Sequence, residues 1–181
     1  LTMRTEETRD AALIRLRVFN EDNQYTINMG ITDINGNVLI DASNASLIGQ
    51  NIFSIHPDLR QKVQGNRDAA FGDNITRSLT TGGWSLVLIS KVHDRVNNRV
   101  IGYLYYMLDW SYLIKERVEQ LVIGETGALF CADDTLTIKI HSKIESINST
   151  LPQDFSKAFE DKKGIINYVF NGEDRVAAYT T

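Results

Sequence analysis

Apolar residues along this chain come in short blocks, and the spacing inside the blocks changes character several times. In the first twenty-odd positions Leu13 and Leu16, and Ile14 and Val18, recur at helical spacing in a stretch rich in Arg, Glu and Ala with neither Gly nor Pro. This predicts a helix from about Thr2 to Glu21, ended by Asn20, Asp22 and Asn23. Strand patterns follow. Tyr25 to Thr32 and Asn37 to Asp41 read as a hairpin across Asn35-Gly36, a pair that tolerates the positive φ of a tight turn. Leu47 to Phe53 reads as a turn leading into a short helix opened by Pro57, running to about Val63 and stopped by Gly65. Arg77 to Thr81 and Trp84 to Val92 read as strands around Gly82-Gly83. The second of these is almost continuously apolar, as a central strand is. Asn97-Asn98 turns into another strong strand, Val100 to Leu108.

Helical spacing returns from Trp110 to Gln120, with Leu113, Val118 and Leu121 as expected buried positions. After Gly124-Glu125-Thr126-Gly127 comes a second hairpin, Leu129 to His141. Pro152 to Lys162 then predicts a helix stopped by Gly164. Ile165 to Phe170 and Arg175 to Tyr179 predict a last hairpin across Asn171 to Asp174. Helices set to one side of antiparallel strands define an α+β chain.

The two hairpins share more than length. Ile31-Thr32-Asp33-Ile34-Asn35-Gly36-Asn37-Val38-Leu39-Ile40-Asp41 has its counterpart a hundred positions later in the stretch around Asp133-Asp134-Thr135-Leu136, a separation typical of a small domain. The second keeps the aspartates but lacks the glycine, so its turn type is left open. A duplicated αβ unit with no catalytic cluster points to binding. The last strand ends at the edge of a sheet that needs one more, so a second module that is short or incomplete is expected.

Composition narrows the function classes. The chain has 181 residues, 43% hydrophobic and 23% charged, with a net charge of −4. That is an ordinary globular balance, and with no basic stripe it offers no nucleic-acid surface. No apolar run is long enough to cross a bilayer. Cys131 is the only cysteine; beside Phe130 in a strand it reads as an inert core thiol. His56, His93 and His141 are too scattered for a metal site. No Gly-x-Ser-x-Gly elbow, P-loop or carboxylate cluster is present, and Asp73, Asp94, Asp133 and Asp134 read as turn formers. No catalytic residue and no cofactor is therefore expected.

The run from Asp33 to Asp41 followed by Leu47-Ile48-Gly49-Gln50-Asn51, then Thr81-Gly82, Val100-Ile101-Gly102 through Leu108-Asp109-Trp110, and Ile123-Gly124-Glu125-Thr126-Gly127-Ala128 through Ile140-His141 resembles the double-Cache sensor domains of bacterial chemoreceptors and sensor histidine kinases. Two positions depart from that family's pattern: Thr135 stands where it usually has glycine, and Ser142 where proline commonly follows the histidine. The resemblance implies an N-terminal helix (1–24), a membrane-distal PAS-like module (25–120) and a membrane-proximal one (121–181). It also implies a homodimer through the first helix and a periplasmic or extracellular domain of an inner-membrane protein whose membrane spans lie outside this sequence. The expected role is ligand sensing for a chemotaxis receptor. The alternatives are a histidine kinase, a diguanylate cyclase or a ligand-free PAS-like interaction module.

The resemblance further implies a small-molecule ligand (an amine, amino-acid derivative or carboxylate) in the distal module. It matches Asp109 to an aspartate that takes a ligand ammonium group in amino-acid-binding relatives; the residues alone equally allow Asp109 to cap the helix starting at Trp110. The Arg-x-Trp-Tyr signature of those relatives is absent at His56-Pro57-Asp58-Leu59, which argues against a standard α-amino acid. Arg77 would supply a carboxylate contact or be a solvated strand residue. Trp84, Tyr103, Tyr105 and Met107 would wall the site or belong to the core. His56 and Asp58 would line its entrance or serve as helix-cap and surface residues. His141, in the other module, is expected to make a structural hydrogen bond.

Overall fold

The computed structural model describes residues 6–43, 47–65, 67–121 and 123–180. Two compact units divide the chain, 1–112 and 113–181, so the division falls inside the helix that follows Asp109, whereas the expected module boundary lies after it.

Unit 1 opens with α1 (Glu6–Asp22) and the hairpin β1 (Thr26–Thr32) and β2 (Val38–Asp41). Two short helices follow, α2 (Ile52–Ile55) and α3 (Pro57–Gln64). The expected start of α1 at Thr2 lies outside the described residues. α2, absent from the sequence reading, exists because Asn51 caps it: its side-chain oxygen accepts the backbone N–H groups of Phe53 (3.0 Å) and Ser54 (3.1 Å), two donors a free helix end leaves unpaired. Then come β3 (Ala69–Phe71), β4 (Thr76–Arg77), β5 (Trp84–His93) and β6 (Val100–Asp109). The strand expected over Arg77–Thr81 stops at Arg77. The Ser78 hydroxyl accepts the N–H groups of Thr80 and Thr81 and folds the chain into a turn, a local competitor to strand pairing.

The sheet has the order β2-β1-β6-β5-β3, with β4 added beside β5, and its strand pairs are antiparallel. Alternation along the strands gives it two faces. One carries Val87 and Ile89 of β5 and Tyr103, Tyr105 and Met107 of β6, packed with Ile52, Phe53, Leu59 and Val63 of the short helices. The other is half-buried along Trp84, Leu86 and Leu88.

The helix α4 (Trp110–Arg117) carries the division between units. Unit 2 then holds β7 (Phe130–Ala132), β8 (Ile138–His141), two 3₁₀ turns (Ile144–Ser146 and Gln153–Phe155), α5 (Ser156–Asp161), β9 (Lys163–Phe170) and β10 (Glu173–Thr180). The helix expected over Pro152–Lys162 is thus a 3₁₀ turn plus a six-residue helix. The last hairpin turns on Asn171 and Gly172, both with positive φ. Leu136, Ile138, Leu151, Phe155 and Ala177 form the core of unit 2. Cys131, expected to be buried, is exposed: among the described residues β7 pairs with β8 alone.

The duplication holds hydrogen bond by hydrogen bond. Asp33 Oδ1 accepts the N–H groups of Asn35 (2.8 Å) and Asn37 (2.9 Å), and Asp133 Oδ1 accepts those of Thr135 (3.0 Å) and Thr137 (2.9 Å). The left-handed place of Gly36 (φ 90°) is taken by Leu136 (φ 64°); the residue replacing the turn glycine is therefore Leu136, where Thr135 was expected. Gly49 and Asn148 then donate to the carbonyls of Val38 and Ile138 in the same loop geometry.

Candidate functional site

The expected ligand residues lie in unit 1, and the register of its sheet sorts them. Ser85 pairs with Asp109, Val87 with Met107, Ile89 with Tyr105 and Lys91 with Tyr103, so Asp109, Met107, Tyr105 and Tyr103 share the helix-covered face. Arg77 pairs with Trp84, whose parity along β5 puts both on the opposite face. There the Arg77 guanidinium stacks 4.0 Å from the Trp84 ring centre and donates to the Gly82 carbonyl (3.1 Å). The buried indole N–H of Trp84 has no partner among the described residues. The structure therefore does not bring Arg77 and Trp84 together with Asp109 over one cleft.

Along the shared face the residues grade from core to edge. Tyr103, Tyr105 and Met107 are buried at 5%, 0% and 7% exposure, and Tyr103 meets Phe53 edge to face. Asp109, at the strand's end, is half-buried. Six residues of strand separate it from Tyr103, about 20 Å, so one small molecule does not touch both. Its Oδ1 accepts the Tyr112 N–H (2.8 Å) as the cap of α4, and its own N–H donates to the Tyr25 carbonyl (2.8 Å). Among the described residues no hydrogen bond engages Oδ2. The capping role is thus realised, and one oxygen remains for a second contact. An open hollow of about 400 Å³ lies nearby, lined by Phe19 and Glu21–Tyr25.

His56 ends α2 and precedes Pro57 of α3, buried at 8% exposure. Desolvation lowers its pKa, partly offset by the Asp58 carboxylate. Asp58 accepts the Asp73 N–H (2.6 Å) and Lys62 pairs with Asp73, so both tie α3 to the turn after β3.

Sequence reasoning missed a buried polar row. Asp41, Gly30 and Tyr105 lie side by side across β2, β1 and β6. Gly30 is required there, because a Cβ would sit 2.5 Å from the Tyr105 hydroxyl and 2.2 Å from the Ile40 carbonyl. Asp41 accepts the N–H groups of Ser43 (3.0 Å) and Leu47 (3.0 Å) and so folds the loop after β2. Asn28 accepts the N–H groups of Met29 (2.7 Å) and Ser43 (3.1 Å). The Tyr105 hydroxyl lies beside Asn28 and Asp41 outside hydrogen-bonding geometry; burial first, and the Asp41 charge second, raise its pKa. The signal was available: Asn28 and Asp41 stand at inward-facing positions of β1 and β2, where buried polar groups need partners. In unit 2 His141 holds Asp41's place. Its Nδ1 accepts the Lys143 N–H (2.8 Å), the structural bond expected of it, and burial lowers its pKa.

Among the described residues no group of His, Cys, Asp and Glu is placed to hold a metal ion, and no helix is long and apolar enough to cross a membrane.

This fold is that of the Cache-type extracellular sensor domains. The chain is similar to the extracellular domain of a protein described as a histidine kinase, rpHK1S-Z16, with a TM-score of 0.74 and 15% identity over 94% of this chain and 71% of that one. It is similar to the ligand-binding domain of the Campylobacter jejuni chemoreceptor Tlp3, solved with 4-methylisoleucine, at TM-score 0.67 and 15% identity, covering 96% of this chain and 68% of the other. The V. cholerae histidine kinase DctB sensor domain matches at TM-score 0.60 and 15% identity, over 88% of this chain and 58% of that one. No protein-family model matches the sequence, and no curated protein does.

Proposed function

We propose that this chain is the extracytoplasmic ligand-sensing domain of a transmembrane signal-transduction receptor, in the first instance a methyl-accepting chemotaxis receptor, and that it carries no enzymatic activity. The observation that supports this reading most is the fold, shared with sensor domains of chemoreceptors and histidine kinases. A histidine kinase is the second reading, favoured by the likeness to rpHK1S-Z16 and DctB. Sensing requires only that a ligand bind two conformations unequally.

The ligand is an amine, amino-acid derivative or carboxylate bound in unit 1, the membrane-distal module, at the Asp109 end of the helix-covered face. Asp109 Oδ2 takes a cationic group, Met107 beside it supplies the apolar floor, and His56 and Asp58 approach from the helix side, while the fully buried Tyr105 stays in the core beneath. Arg77 and Trp84 hold the opposite face. A homodimer forms through α1, where Ile14, Val18 and Phe19 lie 62%, 54% and 53% exposed, and the intact protein spans the inner membrane. A thermal-shift screen of small metabolites tests this. A specific ligand at 100 times its Kd adds about 2.7 kcal/mol of stability, and Asp109→Ala abolishes that gain while the protein still folds. A complete metabolite screen without a hit, or a hit indifferent to Asp109→Ala, contradicts the assignment.

A further inference from the structure

The last hairpin places a positive charge among apolar neighbours. Across β9 and β10, Ala177 pairs with Ile166 and Arg175 with Tyr168, and Ile166, Tyr168 and Phe170 pack on the core of unit 2. Arg175 shares the parity of the buried Ala177, so its side chain leaves the strand on the core side. Its Nη2 pairs with Glu173, whose side chain is 68% exposed. Its Nε is sealed from solvent and has no hydrogen-bond partner among the described residues, a costly state for a charged donor.

His141 presents a second donor of the same kind. The residue is 6% exposed, and its Nδ1 accepts the Lys143 N–H at 2.8 Å, which fixes the proton of the neutral ring on Nε2. Among the described residues no hydrogen bond engages that Nε2–H. The ring stacks on Phe130, Phe130 meets Phe155 edge to face, and Phe155 meets Tyr168 in the same way. Tyr168 is the residue opposite Arg175. Burial first lowers the His141 pKa, and the charges of Lys143 and Arg175 push the same way against Glu145. The guanidinium therefore lies within electrostatic reach of the ring.

We infer that unit 2 holds a binding site for a short monocarboxylate, whose oxygens accept from Arg175 Nε and His141 Nε2 while its apolar end meets the rings of Phe130, Phe155 and Tyr168. The donors decide the class. A guanidinium cannot accept, and neither can Nε2 of a histidine held in this tautomer, so a group that only accepts satisfies both. A carboxylate makes the stronger, charge-assisted bonds that a neutral carbonyl does not. A dicarboxylate would set its second charge against the aromatic rings without a partner. Glu173 and Glu145 offset the charges of Arg175 and Lys143, so affinity is modest, with half-saturation near about 1 mM. The site is separate from the one proposed in unit 1 and does not rest on it.

The test titrates sodium acetate into the 181-residue chain carrying isotope-labelled histidine, with ionic strength matched by sodium sulfate. Its three histidines report separately in nitrogen NMR, His141 for unit 2 and His56 and His93 for unit 1. We expect a saturable shift of the His141 Nε2 signal, half-complete near about 1 mM acetate, and binding of succinate about tenfold weaker or worse. Arg175→Lys keeps the charge but loses the Nε donor, and weakens acetate about tenfold. Glu173→Gln removes the competing carboxylate and strengthens acetate about threefold. No saturable His141 shift up to about 100 mM acetate, or equal affinity in Arg175→Lys, overturns the inference. So does a response confined to His56, which would leave the unit 1 reading standing. If Arg175→Lys does not fold, Glu173→Gln decides, and an unchanged half-saturation there overturns the inference equally.

Discussion

Asp109 has two roles, and two substitutions separate them. Its Oδ1 caps α4 through the Tyr112 N–H at 2.8 Å, and its negative charge is the proposed anchor for a ligand cation. Asp109→Ala removes both. Losing the cap costs about 1 kcal/mol, a fall in Tm of about 2–4 °C for a chain of this size. Asp109→Asn keeps an oxygen that caps as well as aspartate does, so the ligand-free Tm stays within about 1 °C of the parent. The charge is lost, and with it about 1.5–3 kcal/mol of a charge-assisted contact, or about 10- to 100-fold in affinity. At a concentration of 100 times the parent Kd the parent gains about 2.7 kcal/mol; Asp109→Asn then gains only about 0.4–1.4 kcal/mol. In a thermal-shift assay with the primary-amine metabolite giving the largest response, the shift drops from about 5–11 °C to about 1–6 °C. Full retention of the shift by Asp109→Asn refutes the charge argument even if Asp109→Ala loses it, because capping geometry alone then explains the loss.

Three further outcomes follow from the geometry. Gly36→Val destabilises unit 1 by about 3 kcal/mol or more, since it adds a β-branched residue at φ 90° and a Cβ 2.3 Å from the Phe53 ring; urea unfolding measures this, and a change below about 1 kcal/mol contradicts it. Val18→Glu shifts any α1-mediated dimer to monomer in sedimentation without moving the far-ultraviolet spectrum, and an unchanged dimer rejects that interface. Asp133 lies partly buried, which raises its pKa, but hydrogen bonds from Thr135 and Thr137 and the ion pair to Lys139 outweigh burial and bring it down to about 2. A folded-state pKa below the unfolded one contributes stability in full above about pH 4, lost as pH falls towards 2. Asp133→Asn removes that acid-side dependence, worth about 1–2 kcal/mol after allowing for exposure, and equal acid profiles for variant and parent contradict the assignment.

Much of the fold was legible because turn chemistry and alternation agree in the same stretches. Asp33 with Asn35-Gly36 announced a hairpin, and the apolar runs 84–92 and 100–108 announced central strands. The features that escaped depend on contacts distant in sequence. α2 is four residues long and exists through the Asn51 cap, and Asn51 itself is held by the Asn35 carbonyl and the Asn37 side chain. β3 is three residues that pair only because β5 is beside them. Cys131 was expected inside because its neighbours are apolar, and nothing local shows that, among the described residues, β7 pairs with β8 alone. The candidate site was legible as a list of residues and not as a constellation. Parity puts Arg77 and Trp84 on one face and Asp109 on the other only once the pairing of β4, β5 and β6 is known. The polar row of Asp41, Gly30 and Tyr105 likewise needs the register of three strands.

The central claim, a metabolite recognised by unit 1, is tested most directly by hydrogen exchange on the whole chain with and without the ligand returned by the screen. The account predicts added protection at the end of β6, the first turn of α4 and the α2–α3 junction, with β7 to β10 unchanged. Protection confined to residues 113–181, or none anywhere at saturating ligand, contradicts it.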